Sequence, residues 1–203
     1  MTIFYKLFDK LYINITNKCS CDCIFCLRQT GSSVGDAPSL RLTREPDMDE
    51  IKAAFDNADL TGMTEIVFCG FGEPLERAED VIETAHYIRS KCALPLRINT
   101  NGLVRLINPV FDISKLAAVD SISISLNADN AEEYLRVTRP RFGIGAFDEM
   151  LAFARDAKKY TAVVFTIVDS LEAHRIEKCR EIAAEIGAPL RIRSFVSDNE
   201  SFS

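Results

Sequence analysis

Long apolar stretches are missing from this sequence of 203 residues. A membrane-crossing helix needs roughly 20 consecutive apolar residues, and the longest apolar run, 162–168, already contains Thr166. The opening MTIFYKLFDKLYINIT lacks the basic start, apolar centre and small-residue cleavage site of a signal peptide, so a cytoplasmic location is expected. Basic residues are not in excess: 24 Lys and Arg face 30 Asp and Glu, a net charge of −6. That balance argues against a broad nucleic-acid surface. Internal repeats, low-complexity tracts and linkers are absent, and the chain reads as one domain over 1–203. Histidine is scarce: His86 and His174 fall in helical patterns without a metal-ligand spacing. A chain of this length buries most of its surface without disulfide staples. In a reducing compartment its cysteines are therefore ligands or core residues.

What the sequence does contain is an alternation of short apolar segments and helical patterns. Strands are expected at 11–16, 65–69, 96–100, 121–127, 162–168 and 190–195, each rich in β-branched or other apolar residues. Helical spacing of apolar residues marks 47–60, 79–91, 146–159 and 172–186, with shorter candidates at 110–118 and 131–137. Asp47 and Glu50 are spaced as a capping box. Gly187 stands where a helix would end. Such alternation implies βαβ units and a parallel sheet. A full eight-unit barrel takes about 250 residues, so the architecture is an open doubly wound sheet or a partial barrel.

The strand faces favour the barrel. Ser121, Ser123, Ser125 and Asn127 share one face, opposite Ile122, Ile124 and Leu126. Arg97, Asn99 and Asn101 repeat the pattern, as do Arg191 and Arg193. Parallel strands are normally apolar on both faces. Three strands with a polar face imply a shared polar lumen, with ligands at the C-terminal strand ends.

Directly after the first strand comes CSCDCIFC, four of the seven cysteines within eight residues. A structural zinc site usually takes two cysteine pairs, but Cys69, Cys92 and Cys179 are isolated. A zinc loop from Cys19, Cys21, Cys23 and Cys26 would be cramped. An iron–sulfur cluster is the other soft-ligand option, and an ordinary four-iron cluster takes four thiolates. Cys19, Cys23 and Cys26 would supply three and leave one iron open to an outside molecule.

The C-x3-C-x2-C pattern, with Phe25 before its last cysteine, resembles the radical S-adenosylmethionine (SAM) enzymes. GFGEP at 70–74, RINTNG at 97–102 and SISLNA at 123–128 carry the resemblance along the chain. NITNKC, VFCGFGEPL, INTNGL, SISLNA and RPRFGIGAF together are similar to the subgroup called TatD family-associated radical SAM proteins. The resemblance implies a partial (β/α)6 barrel of the TIM type, with outer helices around a curved parallel sheet. It implies a 4Fe–4S cluster on Cys19, Cys23 and Cys26 in a cluster loop at 17–46, with SAM on the fourth iron. Cys21 departs from the pattern and is expected not to be a ligand. Phe25 would lie against the adenine. Gly70, Gly72, Glu73 and Pro74 would take the methionine end, the glycines by close backbone approach and the carboxylate by accepting from the ammonium. Asn99, Asn101, Ser125 and Asn127 are candidates for the ribose hydroxyls and the methionine carboxylate, and Val168 for the adenine.

The expected activity is reductive cleavage of SAM to methionine and a 5′-deoxyadenosyl radical, which abstracts hydrogen from a small-molecule or peptide substrate. Arg28, Arg139, Arg141, Arg191 and Arg193 point to an anionic substrate, since buried cations need a partner. A flavodoxin- or ferredoxin-type donor is implied, and the subgroup's name implies a link to a TatD-type nuclease. No cysteine cluster follows Cys26, so no auxiliary cluster is expected. The Gly-, Ser- and Pro-containing loop 29–46 is long enough to be a lid. Rival readings are an enzyme like 7-carboxy-7-deazaguanine synthase, a glycyl-radical activating enzyme, and a non-catalytic metal- or cluster-holding module that recruits a nuclease.

Overall fold

The computed structural model describes residues 1–35, 37–169 and 171–193. Seven strands form one sheet in chain order. The first two, β1 (Phe4–Leu7) and β2 (Lys10–Ile13), make an antiparallel hairpin around Phe8 and Asp9. From β2 onward all neighbours run parallel: β3 (Glu65–Phe68), β4 (Leu96–Thr100), β5 (Ser121–Ser125), β6 (Ala162–Val168) and β7 (Leu190–Arg193). Strands β2 to β7 are the six expected units, and helices flank the curved sheet as in a partial barrel. The hairpin strand β1 was not expected. Positions 194 and 195 of the last expected strand lie outside the described residues.

The helices follow the apolar spacing closely. After α1 (Leu27–Thr30) come α2 (Met48–Asp56), α3 (Ala78–Arg89), α4 (Val104–Ile107), α5 (Ala131–Thr138), α6 (Ala146–Ala157) and α7 (Ala173–Ile186). Both halves of the Asp47–Glu50 capping box form at the start of α2. Gly187 closes α7 at φ 70°, a conformation glycine adopts at little cost. The expected helix at 110–118 is instead a 3-10 turn at Ile113–Ala118. A second such turn, Pro74–Arg77, leads into α3. The short helices α1 and α4 were not foreseen.

Period-two alternation divides the sheet. Ile66, Phe68, Ile98, Ile122, Ile124, Phe165 and Ile167 face outward and are fully buried within the main apolar cluster. Each such side chain contributes about 1.5–3 kcal/mol. The opposite face carries Tyr12, Glu65, Arg97, Asn99, Ser123 and Arg191, so the expected polar lumen is present. Its strand ends open onto the cysteine loop.

The loop 29–46, expected to be a lid, is pinned across its second half. Leu40 and Leu42 are buried. The Asn14 amide donates to the Leu40 carbonyl (2.7 Å), and the Asn17 side chain bonds both the Leu42 carbonyl (2.7 Å) and its N–H (2.9 Å).

Candidate active site

Residues from six separate segments line one open cavity of about 190 Å³ at the C-terminal strand ends. The loop after β2 supplies Cys19, Cys21, Cys23, Phe25 and Cys26, and the loop after β3 supplies Cys69 through Pro74. Strand β4 and its exit give Asn99, Thr100 and Asn101, while Ser125 and Asn127 come from the end of β5. Arg193 reaches the same space from β7. Val168 lines a neighbouring hollow of about 280 Å³, which shares Phe25 and Asn127 with the cavity. Arg28 and Arg141 are exposed and sit over the Phe71 and Phe142 rings, at 5.7 and 4.8 Å from the centroids. Arg191 lies on the lumen face, donating to the Ser123 hydroxyl at 3.2 Å.

The glycines of GFGEP are explained by protein neighbours. A Cβ on Gly70 would lie 2.1 Å from Asn14 Oδ1, and one on Gly72 would lie 2.3 Å from the Lys18 carbonyl. The Gly72 N–H donates to the Thr16 carbonyl (3.0 Å) and the Glu73 N–H to the Lys18 carbonyl (2.8 Å). The motif thus lies flat on the segment that leads into Cys19.

Glu73 is buried, and its carboxylate is engaged by the protein. One oxygen accepts from the Thr100 hydroxyl (2.7 Å) and the Leu75 N–H (3.0 Å), and the other from the Asn101 N–H (2.7 Å). The side chain therefore caps the Pro74–Arg77 turn and fastens it to the exit of β4. Burial outweighs these bonds and raises its pKa from 4.5 to about 7. The acid form is thus favoured by folding. Stability from this group is complete below the unfolded pKa and declines as pH rises through 7. The loss amounts to about 3 kcal/mol at 1.36 kcal/mol per pKa unit. Glu73→Gln removes the titration but sets an amide N–H against the Asn101 N–H, a pH-independent cost of about 1–3 kcal/mol. Urea unfolding of the cluster-free chain at pH 5 and pH 8 should therefore show a pH-dependent gap between wild type and variant. A constant gap refutes the titration.

In the lumen, Glu65 binds the buried Arg97 through both oxygens, at 2.8 Å each. Arg97 also donates to the Asn99 carbonyl oxygen, which turns the Asn99 amide toward the Cys69 thiol. Arg97 is thereby neutralised. Arg191 and Arg193, expected as buried cations, are exposed at the open side of the lumen on the last described strand. Among the described residues no carboxylate pairs with Arg191, whose pKa is lowered by partial burial and by Arg97 and Arg193 beside it. Asn127 is buried at φ 56°, and its Oδ1 has no partner. That left-handed residue turns the chain away just after β5, so the strand stops short of the expected 127.

Several neighbours were not foreseen. Cys69 and Thr138 border the cavity, and Tyr12 borders the lumen. Tyr134 lines the cavity with a buried hydroxyl that has no partner. Its helical spacing makes it look like plain core.

The cysteines suit a soft metal group. Cys19, Cys23 and Cys26 are half-buried at the cavity wall, and the nearby Glu73 carboxylate is already taken up by three protein donors. Burial pushes the Cys19 thiol up to about 12, with Glu73 adding to the rise. Cys26 is raised by burial as well. Cys23 is lowered by a hydrogen bond from Cys21, whose own thiol is raised by that bond and by burial. Loading a metal would displace such protons. Three thiols from one short loop are the soft donor set that an iron–sulfur cluster takes.

Comparison with known proteins agrees with this geometry. A family model described as the radical SAM superfamily matches residues 13–183. The chain is 31% identical over 137 residues to a GTP 3′,8-cyclase of Lactiplantibacillus plantarum, covering 66% of this chain and 38% of that protein. It is 27% identical over 199 residues to a probable GTP 3′,8-cyclase of Methanocaldococcus jannaschii, covering 95% and 61%. Among solved structures it resembles Streptococcus suis SuiB bound to S-adenosylmethionine, with a TM-score of 0.70, 14% identity, and coverage of 94% of this chain and 41% of that one.

Proposed function

The chain belongs to the radical SAM superfamily, and from that premise we propose that Cys19, Cys23 and Cys26 hold a 4Fe–4S cluster and that SAM lies across the adjoining strand ends. The observation that carries the reading is the convergence of the cysteine loop, GFGEP, Asn99, Asn101, Ser125 and Asn127 on one cavity. An enzyme of this type supplants the non-catalytic module weighed on the sequence. When bound, the reduced cluster supplies an electron that cleaves SAM to methionine and a 5′-deoxyadenosyl radical able to take hydrogen from a substrate.

The chain's own groups do the positioning. Phe25 offers a flat apolar surface to the adenine, and Val168 lines the same hollow. The unpaired Asn127 Oδ1 is an acceptor awaiting a donor, as a ribose hydroxyl would be. Asn99, held by Arg97, and Asn101, held by its own bond to Leu103, present oriented amides. The Glu73 oxygens already serve three protein donors, so its part is to hold the GFGEP turn beside which the methionine end would lie.

Arg191 and Arg193 put positive charge at the open side of the lumen and favour an anionic substrate. GTP, in the names of the two relatives above, would be such an anion. The chain spans 38% and 61% of those relatives, so their cyclase activity is not transferred to it. The motif set NITNKC through RPRFGIGAF supports the TatD-associated subgroup and its link to a nuclease. The exposed Ile24 and Arg28 of the cysteine loop offer an acidic flavodoxin- or ferredoxin-type donor a docking face.

Anaerobic reconstitution with iron and sulfide tests the reading. Electron paramagnetic resonance of the reduced protein should show a four-iron signal that changes when SAM is added, with 5′-deoxyadenosine released. Anionic candidate substrates should stimulate that release where uncharged ones do not. Tightly held zinc, or a cluster indifferent to SAM, would overturn the reading.

A further inference from the structure

Two polar groups at the cavity are buried without a partner, the Asn127 carbonyl oxygen and the Tyr134 hydroxyl. They ask for opposite things. Asn127 Oδ1 can only accept, which suits a hydroxyl-bearing ligand. A phenol buried among sulfur atoms is chiefly a donor and needs an acceptor.

We propose that the Tyr134 hydroxyl donates a hydrogen bond to a sulfur of the cluster held by Cys19, Cys23 and Cys26 and thereby raises its reduction potential. The inference rests on the cluster reading above. Tyr134 lies on α5 and is 1% exposed, with its ring against Phe147 at 5.5 Å between centroids. Tyr134 lines the same cavity as the cysteines, and after burial the Cys21 and Cys23 thiols act most strongly on its hydroxyl. Thr138 stands close by but donates its hydroxyl proton to the Tyr134 carbonyl at 2.7 Å. Phenylalanine would fill the same space without an unpaired hydroxyl, so the oxygen is explained by an acceptor that the cavity receives.

The helix and the cysteine loop form one mechanical unit. The Asp22 N–H donates to the Thr138 carbonyl (3.0 Å) and the Ile24 N–H to the Val137 carbonyl (2.9 Å). Just beyond α5, the Arg141 N–H donates to the Ser20 carbonyl (2.9 Å). Tyr134 is thus fixed relative to the three ligands before any cluster arrives. A hydrogen bond to a cluster sulfur favours the reduced, more negative state. Tyr134 is on this argument a positioning and tuning residue, since it acts on the potential and not on SAM.

The test is a mediator-poised redox titration, followed by electron paramagnetic resonance, of reconstituted wild type and Tyr134→Phe without SAM. The variant should load iron fully and show a lower midpoint potential. Its cluster-free form should melt at the wild-type temperature or above, because an unpaired buried hydroxyl has gone. A purely structural role would leave the midpoint in place. Should Tyr134→Phe load poorly, 3-fluorotyrosine at 134, a stronger donor, should raise the midpoint instead. An unmoved midpoint in a fully loaded protein overturns the inference and leaves the cluster reading standing. A wild type that assembles no cluster overturns both.

Discussion

Alanine at Cys19, Cys23 or Cys26 is expected to abolish cluster assembly, each variant's iron falling to background, while Cys21→Ala loads as wild type does. The contrast follows from how each sulfur is held. Cys19, Cys23 and Cys26 are half-buried at the cavity wall. Cys21 borders the same cavity but is 6% exposed and belongs to the apolar core. Its sulfur accepts from the Asn101 amide at 3.6 Å, and its thiol hydrogen-bonds Cys23. Burial and that bond keep Cys21 protonated far more firmly than a free thiol, and a metal binds the thiolate. A cluster with three protein thiolates keeps one iron for an outside ligand, whereas a fourth thiolate would close it. Iron and sulfide analysis after anaerobic reconstitution reads the result. If Cys21→Ala lost iron as completely as the other three, all four cysteines would be ligands and the open iron position would disappear.

The lumen was legible because parallel strands seldom carry polar residues at every second position. Ser121, Ser123 and Ser125 therefore announced a wet face, and Arg97 and Arg191 extended it. The capping box at Asp47 was legible for a similar reason, being a local rule between near neighbours. Contacts between segments distant in sequence were not legible. Nothing in Asn14 and Asn17 announces that they anchor a loop about 25 residues away. Arg97 showed itself only as part of the polar face, and nothing in the sequence said that Glu65 of the neighbouring strand holds it. The hairpin strand β1 was hidden by its length of four residues, too short to show a period. Tyr134 could be suspected only from the structure, because a helical tyrosine on an apolar face is ordinary and an unpaired buried hydroxyl is not. The cluster cysteines stood out because close-set thiols are rare. The protein neighbours of the glycines were not legible, since close approach to a ligand and to the chain's own backbone leave the same mark in a sequence.

Gly72→Ala separates those two causes and is expected to cost more than about 3 kcal/mol of stability, the range of backbone and overpacking failures. The added methyl would lie 2.3 Å from the Lys18 carbonyl oxygen, 2.6 Å from the Thr16 carbonyl oxygen and 2.8 Å from the Asn17 carbonyl carbon. These are backbone atoms, so no rotamer change relieves the clash. The loop after β3 must lift away, and the two bonds it makes to Thr16 and Lys18 go with it. Lifting it frees the chain just before Cys19, so cluster loading should fail together with stability. Gly31→Ala is the control. Gly31 also lies in the cysteine loop, but its added methyl would meet nothing within 4 Å and its backbone is extended at φ −177°. That variant should stay within about 0.5 kcal/mol of wild type, as surface changes do. Denaturant unfolding of the cluster-free proteins, with iron analysis after reconstitution, reads both effects. A Gly72→Ala chain as stable as wild type, failing only when SAM is added, would return the glycine to a ligand-contact role. Instability before any ligand is present assigns it to the platform on which the cysteine loop is built.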